Sequence, residues 1–129
     1  KNLERFGLMA ELEGIDRFRL LEPLGYLEFL RLMECAAVVV TDSGGIQEET
    51  TFLNVPCLTL RENTERPVTV ELGTNELLPL EPSRVTRRVR EVTGADRLGE
   101  RPPYWDGRAA GRIVDVFEDV FARPRVRVS

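Results

Sequence analysis

A serine and two glycines, Ser43-Gly44-Gly45, sit between the β-branched run Val38-Val39-Val40-Thr41 and a stretch that favours helix, Ile46-Gln47-Glu48-Glu49. Strand, tight turn and helix start, in that order, make a place to hold phosphate. Glycines carry no Cβ, so an anion can come close to the backbone. The first N–H groups of a helix have no internal partner and stand at the positive end of its dipole. Ser43 adds a hydroxyl donor. A second reading stands beside this one: a plain turn in which Asp42 or Ser43 caps a helix.

The chain's size and composition narrow what such a turn could serve. At 129 residues it is one domain by the usual size expectation. An apolar fraction of 42% and a charged fraction of 31% are those of a globular chain. The net charge of −4 argues against nucleic acid as a partner, because phosphate-backbone binding needs a basic face. There is no histidine and no paired-cysteine spacing, so no zinc site is expected, and separately no cofactor is assigned. Cys35 and Cys57 sit in apolar surroundings and read as small hydrophobes rather than a disulfide pair. No apolar run approaches bilayer length, and residues 1–7 have no apolar core or small-residue cleavage site. The expectation is a cytoplasmic protein with no membrane partner.

The elements that must position the turn can be read in order. Lys1 to Glu13 is spaced as a helix interrupted at Gly7 with a second short turn before Gly14, and Phe18 to Leu21 is a short strand candidate stopped by Pro23. Tyr26, Phe29, Leu30, Met33 and Ala37 make Leu24 to Ala36 an amphipathic helix. Val38 to Thr41 reads as a strand covered on both faces. Ile46 to Leu53 is the next helix, ended by Asn54 in the left-handed conformation. Cys57 to Leu60 and Asn75 to Leu78 are further strands. Between them the charged loop Arg61 to Pro67 leads into a helix ended at Gly73. Ser83 to Thr93 and Gly107 to Phe121 are helices with apolar stripes, and Arg123 to Ser129 is a basic, frayed tail. Alternating strands and helices predict an α/β fold, a Rossmann-like parallel sheet with helices on both faces. Ligands of such sheets sit outside the carboxyl ends of the strands, where both the Ser43 turn and the Arg61 to Pro67 loop lie.

Three segments together carry a resemblance: Pro23-Leu24-Gly25-Tyr26-Leu27-Glu28-Phe29-Leu30, then Thr41 to Glu49, then Leu60 to Pro67 with Glu71-Leu72-Gly73-Thr74-Asn75. In order and spacing they resemble the UDP-N-acetylglucosamine 2-epimerases over most of the chain. The resemblance implies residues 1–129 to be the C-terminal half of a fold with two Rossmann-like domains, glycosyltransferase-B-like, holding the UDP part of the substrate. It implies diphosphate binding at Ser43, Gly44 and Gly45, ribose hydroxyls on Glu49, uracil against Phe29, and Arg66 directed toward the diphosphate-sugar. Each position also has a plainer reading. Phe29 at a helical step is core, Glu48 and Glu49 favour a helix dipole's positive end, Arg66 and Glu65 form a solvated ion pair, and Thr64 and Pro67 simply start a helix. Glu48 is taken as structural and Glu49 as the ribose ligand.

The reaction implied is inversion at C2 of the sugar, interconverting UDP-GlcNAc and UDP-ManNAc by elimination of UDP and its re-addition, with UDP and a UDP-N-acetylhexosamine as partners. The resemblance puts the catalytic carboxylates and a cleft histidine upstream of this segment, so no catalytic residue is assigned here. The chain alone is expected to bind UDP weakly and to epimerise nothing. It opens mid-element, which leads to the expectation of a truncated protein whose full-length form is a homodimer. It also leads to the expectation that the Ile113 to Phe121 stripe, losing its cover, makes a homotypic contact. Leu78-Pro79 replaces a glycine common in the family, and Tyr104-Trp105-Asp106-Gly107 replaces Tyr-Gly-Asp-Gly. Trp105 either packs over a cleft edge or covers the sheet. Two alternatives accompany this reading: a hydrolysing epimerase, and a non-catalytic nucleotide-sugar-binding module. The place of the product in cell-envelope polysaccharide is part of what the resemblance implies.

Overall fold

The computed structural model describes residues 2–94 and 99–122, and the basic tail expected over 123–129 lies outside them. The chain divides into two compact units, Lys1–Arg31 and Leu32–Ser129.

In the first unit, helices α1 (Asn2–Arg5) and α2 (Met9–Glu13) are separated at Gly7, whose φ of +70° is the left-handed turn that an L side chain resists. That is the interruption the spacing predicts. The strand expected over Phe18 to Leu21 does not form. The sheet of the described residues has three strands and this segment is not one, so its backbone has no ladder to join, and Phe18, Leu20 and Leu21 stay exposed. Helix α3 (Tyr26–Glu34) begins in this unit and ends in the next.

The second unit is built on a parallel sheet of β1 (Val39–Thr41), β2 (Cys57–Thr59) and β3 (Asn75–Leu77), in the order β1-β2-β3. Val39 lies opposite Cys57, and Cys57 opposite Asn75. Parallel neighbours need crossovers, which α4 (Gly44–Leu53) and α5 (Pro67–Glu71) supply. Asn54 ends α4 with φ 58° and ψ 38°, the left-handed cap predicted for it. Helices α6 (Pro82–Val92) and α7 (Ala109–Ala122) follow.

Side chains alternate across a strand, and here the parity sorts chemistry as well as faces. Even positions Val38, Leu58, Leu60 and Leu78 form an apolar cluster with Val89 and Val92 of α6, and Glu76 reaches Arg88 of the same helix at 2.7 Å. Odd positions Cys57, Thr59 and Asn75 are buried on the other face, toward α4 and α5. Helices therefore cover both faces, as expected. The doubly covered strand is β2 and not β1: Val40 is 42% exposed, because β1 is an edge of this sheet. Burial pushes the Cys57 thiol pKa up, while Cys35 is exposed; both are free.

Helix α7 has no buried residue, and Ile113, Val114, Phe117, Val120 and Phe121 are exposed. Its start is held by Asp106, which accepts from Arg112 Nη1 at 2.8 Å and Nη2 at 2.6 Å and from the Arg108 N–H at 3.1 Å. The Arg112 guanidinium holds the Asp106 carboxyl well below the usual carboxylate range. A folded-state pKa lowered in this way stabilises above the unfolded value, about 3.9, and the gain is lost as pH falls through the folded value. Asp106→Asn is thus expected to lower the melting temperature slightly at pH 7 and to converge with the parent well below pH 4. A difference that stays constant on acidification contradicts this. Trp105 is half-buried and its backbone N–H donates to the Pro102 carbonyl at 3.2 Å.

Candidate functional site

The turn between β1 and α4 and the loop between β2 and α5 follow adjacent parallel strands, so topology puts both on the carboxyl rim of the sheet. Ser43 is the N-cap of α4 with extended backbone, φ −81° and ψ 130°, and its side chain makes no capping bond. The plain-turn reading requires a capping bond from Asp42 or Ser43, and among the described residues neither side chain makes one. Its absence leaves the first amides of α4 unspent, at the positive end of a ten-residue helix. The Ser43 N–H itself donates to Thr41 Oγ1 at 3.1 Å, which fixes the turn to the strand.

The two glycines are distinct. A Cβ on Gly45 would meet no heavy atom within 4 Å, so open space lies where a side chain would stand there. One on Gly44 would come within 2.7 Å of Arg66 Nη1 and 2.6 Å of Glu65 Oε1. The side-chain ends of the arginine loop thus lie directly against the turn, and a Cβ on Gly44 would displace them.

Arg66 is held at both ends. Its N–H donates to Thr64 Oγ1 at 3.0 Å, and its carbonyl accepts from the Thr69 N–H at 3.1 Å and Thr69 Oγ1 at 2.8 Å. Its Nε donates to Glu48 at 2.7 Å and its Nη1 to Glu65 at 2.5 Å. Among the described residues its Nη2 makes no bond, so one edge of the fork remains for an anion. The hydrogen bond to Glu48 raises the Arg66 pKa, so the guanidinium stays charged. Its own backbone amide, and then Arg61 and Arg66, lower the pKa of Glu65. Glu48 is therefore committed to Arg66, the structural part expected of it. The loop does start a helix, with Pro67 in the first turn, but Arg66 is the N-cap and Thr64 does not cap α5.

Glu49 lies one turn after Gly45 on the same face of α4, is half-buried, and forms no ion pair among the described residues. The Cα–Cβ bonds of a helix lean toward its N-terminus, so this residue is directed toward the start of α4. Ser43, Gly44, Gly45, Glu49 and Arg66 all belong to the second unit, and the fold brings them to one rim. Phe29 belongs to the first unit, on α3, and is 37% exposed, more than a core residue.

The residues beneath the rim are the ones sequence reasoning missed. Gln47, Thr59, Thr69 and Asn75 are buried polar groups on the odd face of the sheet. Thr59 Oγ1 donates to Asn75 Oδ1 at 2.6 Å, and Asn75 Nδ2 donates to Gln47 Oε1 and Thr69 Oγ1, each at 3.1 Å. Thr64 Oγ1 donates to Gln47 Oε1 at 2.6 Å, and Gln47 Nε2 to the Ser43 carbonyl at 3.4 Å. The signal is not local: only once β2 pairs with β3, and both faces of the sheet are covered, must Thr59 and Asn75 find partners inside. A shallow cavity of about 530 Å³ on α6, lined by Pro82, Ser83, Thr86, Arg87, Arg90 and Glu91, shares no residue with this rim. Its walls are solvated side chains, and it offers none of the rim's unspent amides.

Residues 3–118 match the family described as UDP-N-acetylglucosamine 2-epimerase. The UDP-N-acetylglucosamine 2-epimerase of Methanococcus maripaludis is 43% identical over 116 residues, which are 90% of this chain and 31% of the relative. The Methanocaldococcus jannaschii UDP-GlcNAc 2-epimerase, solved in complex with UDP-GlcNAc and UDP, is similar at 40% identity and a TM-score of 0.77, covering 91% of this chain and 32% of that one. A Listeria monocytogenes structure described as the same enzyme type gives 34% identity and a TM-score of 0.79 over 95% of this chain and 34% of its own. The chain thus spans about a third of the length of the relatives it matches.

Proposed function

Since the chain belongs to the UDP-N-acetylglucosamine 2-epimerase family, we propose that residues 1–129 are its C-terminal, UDP-holding domain. The intact protein then interconverts UDP-GlcNAc and UDP-ManNAc without net hydrolysis. The observation that carries the reading is the uncapped start of α4 at Ser43-Gly44-Gly45, with the charged Arg66 packed against it.

The chemistry follows from those groups. Amides of Gly44 and Gly45 with the Ser43 hydroxyl accept the diphosphate, and the free edge of Arg66 adds charge-assisted bonds that strengthen as UDP departs. Stabilising a leaving diphosphate lowers the barrier to elimination, and holding it in place lets the same UDP add back to the other face. Glu49 accepts from the ribose hydroxyls, and Phe29 packs against uracil. The base and acid at C2 come from the other domain. Among the described residues no helix is long and apolar enough to cross a membrane.

Titration with UDP tests the site. Ser43→Ala with Glu49→Ala is expected to weaken UDP binding by about a hundredfold, two lost hydrogen-bonding groups at about 1.4 kcal/mol each. Unchanged affinity in the double variant sinks the assignment. Products of the intact protein separate the hydrolysing alternative, which releases free N-acetylmannosamine. The isolated chain is further proposed to self-associate through the exposed Ile113, Phe117 and Val120 face of α7. Sedimentation should find a dimer that Phe117→Glu dissociates; a monomeric parent contradicts the contact.

A further inference from the structure

We infer that Gln47 is a positioning residue for diphosphate, a strut that sets the spacing between the turn carrying the amides and the loop carrying Arg66. The inference rests on the reading that this rim holds UDP, and deepens it.

Gln47 is 0% exposed, although it lies in the first turns of a helix at the sheet's rim, where a glutamine is ordinarily solvated. Its amide is used at both ends. The nitrogen donates to the carbonyl of Ser43, the residue that opens the turn. The oxygen takes two donors, Thr64 of the arginine loop and Asn75 of β3. The direction of every bond follows from the backbone groups at the ends. The Arg66 N–H can only donate, so Thr64 Oγ1 accepts it and turns its own hydrogen to Gln47. The Arg66 carbonyl can only accept, so Thr69 donates to it and accepts from Asn75. Asn75, with its oxygen taken by Thr59, must present its nitrogen to Gln47.

Through these bonds Gln47 touches both halves of the site without reaching the ligand itself. Ser43 is fixed directly; Arg66 is fixed on its N–H side through Thr64 and on its carbonyl side through Asn75 and Thr69. A diphosphate that bonds to the α4 amides and to Arg66 at once requires their separation to be correct within about 0.5 Å. A network whose members are all satisfied is the means by which a fold holds such a spacing.

The test uses the intact protein with two probes, UDP and uridine, and two variants. Gln47→Met keeps volume and removes all three side-chain hydrogen bonds. Thr64→Val removes one strut at the half-buried loop, where the fold is least at risk, and Thr64→Ser retains the hydroxyl. The expected result is a UDP dissociation constant raised about tenfold or more by Gln47→Met and Thr64→Val, with uridine affinity within about twofold of the parent and Thr64→Ser close to the parent. In an Arg66→Ala background the Gln47→Met effect on UDP should shrink to about twofold or less, because the group it positions is gone. A parallel loss of UDP and uridine affinity, or a Gln47→Met effect undiminished without Arg66, marks a general structural role and overturns the inference. If Arg66→Ala weakens UDP but neither variant does, the inference alone fails. If Arg66→Ala and Ser43→Ala both leave UDP binding unchanged, the site reading fails and takes the inference with it.

Discussion

Gly45→Ala is expected to leave the stability of the protein unchanged or slightly raised while lowering UDP affinity by about ten- to a hundredfold, or about 1.4 to 2.7 kcal/mol. The two halves of this expectation have separate causes. Gly45 lies in the first turn of α4, and a Cβ built there meets no heavy atom within 4 Å. Alanine is the better helix former by up to about 1 kcal/mol in a helix interior, and less near an end. Nothing in the unliganded protein resists the methyl. A diphosphate does, because Cβ atoms lean toward the helix N-terminus and so into the space an oxyanion must enter to reach the amides. Gly44→Ala is less informative, since its methyl also displaces Glu65 and Arg66. Calorimetric titration beside thermal unfolding checks the pair of effects. Loss of affinity together with an equal loss of stability, or no loss of affinity, speaks against a phosphate over this turn.

Asn75→Ala is expected to cost about 3 kcal/mol of folding stability, with urea denaturation of the intact protein as the measurement. Asn75 is 5% exposed and its side chain bonds Thr59, Gln47 and Thr69. Its removal leaves the Thr59 hydroxyl only a weak contact with Cys57 Sγ at 3.7 Å and takes a donor from Gln47. Buried groups left without partners cost about 1 to 3 kcal/mol each. The comparison is Thr93→Ala, which also deletes a hydrogen bond, to the Val89 carbonyl at 2.7 Å, but on an exposed side chain. That change should stay within about 0.5 kcal/mol. Equal costs at the two positions contradict the view that the odd face of the sheet is a closed polar network.

The contrast between those faces also explains what was legible in the sequence. Apolar periodicity locates α6 through Val85, Val89 and Val92, and β2 through Cys57 to Leu60, because the groups that fold them repel water and repeat at the element's period. Asn54 and Pro67 mark a helix end and a helix start for reasons that act within a few residues, and both stand where expected. Phe18 to Leu21 fails for the opposite reason. Its composition suits a strand, but a strand needs a neighbour, and neighbours are a property of the whole fold. The rim residues Ser43, Gly44 and Gly45 were visible as strand, glycine turn and helix in succession. Gln47, Thr59, Thr69 and Asn75 were not, since a polar residue carries no local mark of burial. Only the pairing of β2 with β3, which sets Cys57 against Asn75, reveals that these side chains face one another.

All of this converges on the amides at the start of α4, and a structure of the intact protein with UDP bound examines them directly. Diphosphate oxygens are expected within about 2.7 to 3.2 Å of the Gly44 and Gly45 nitrogens, with Glu49 on the ribose hydroxyls. UDP seated elsewhere, with those amides turned to solvent, would contradict this expectation.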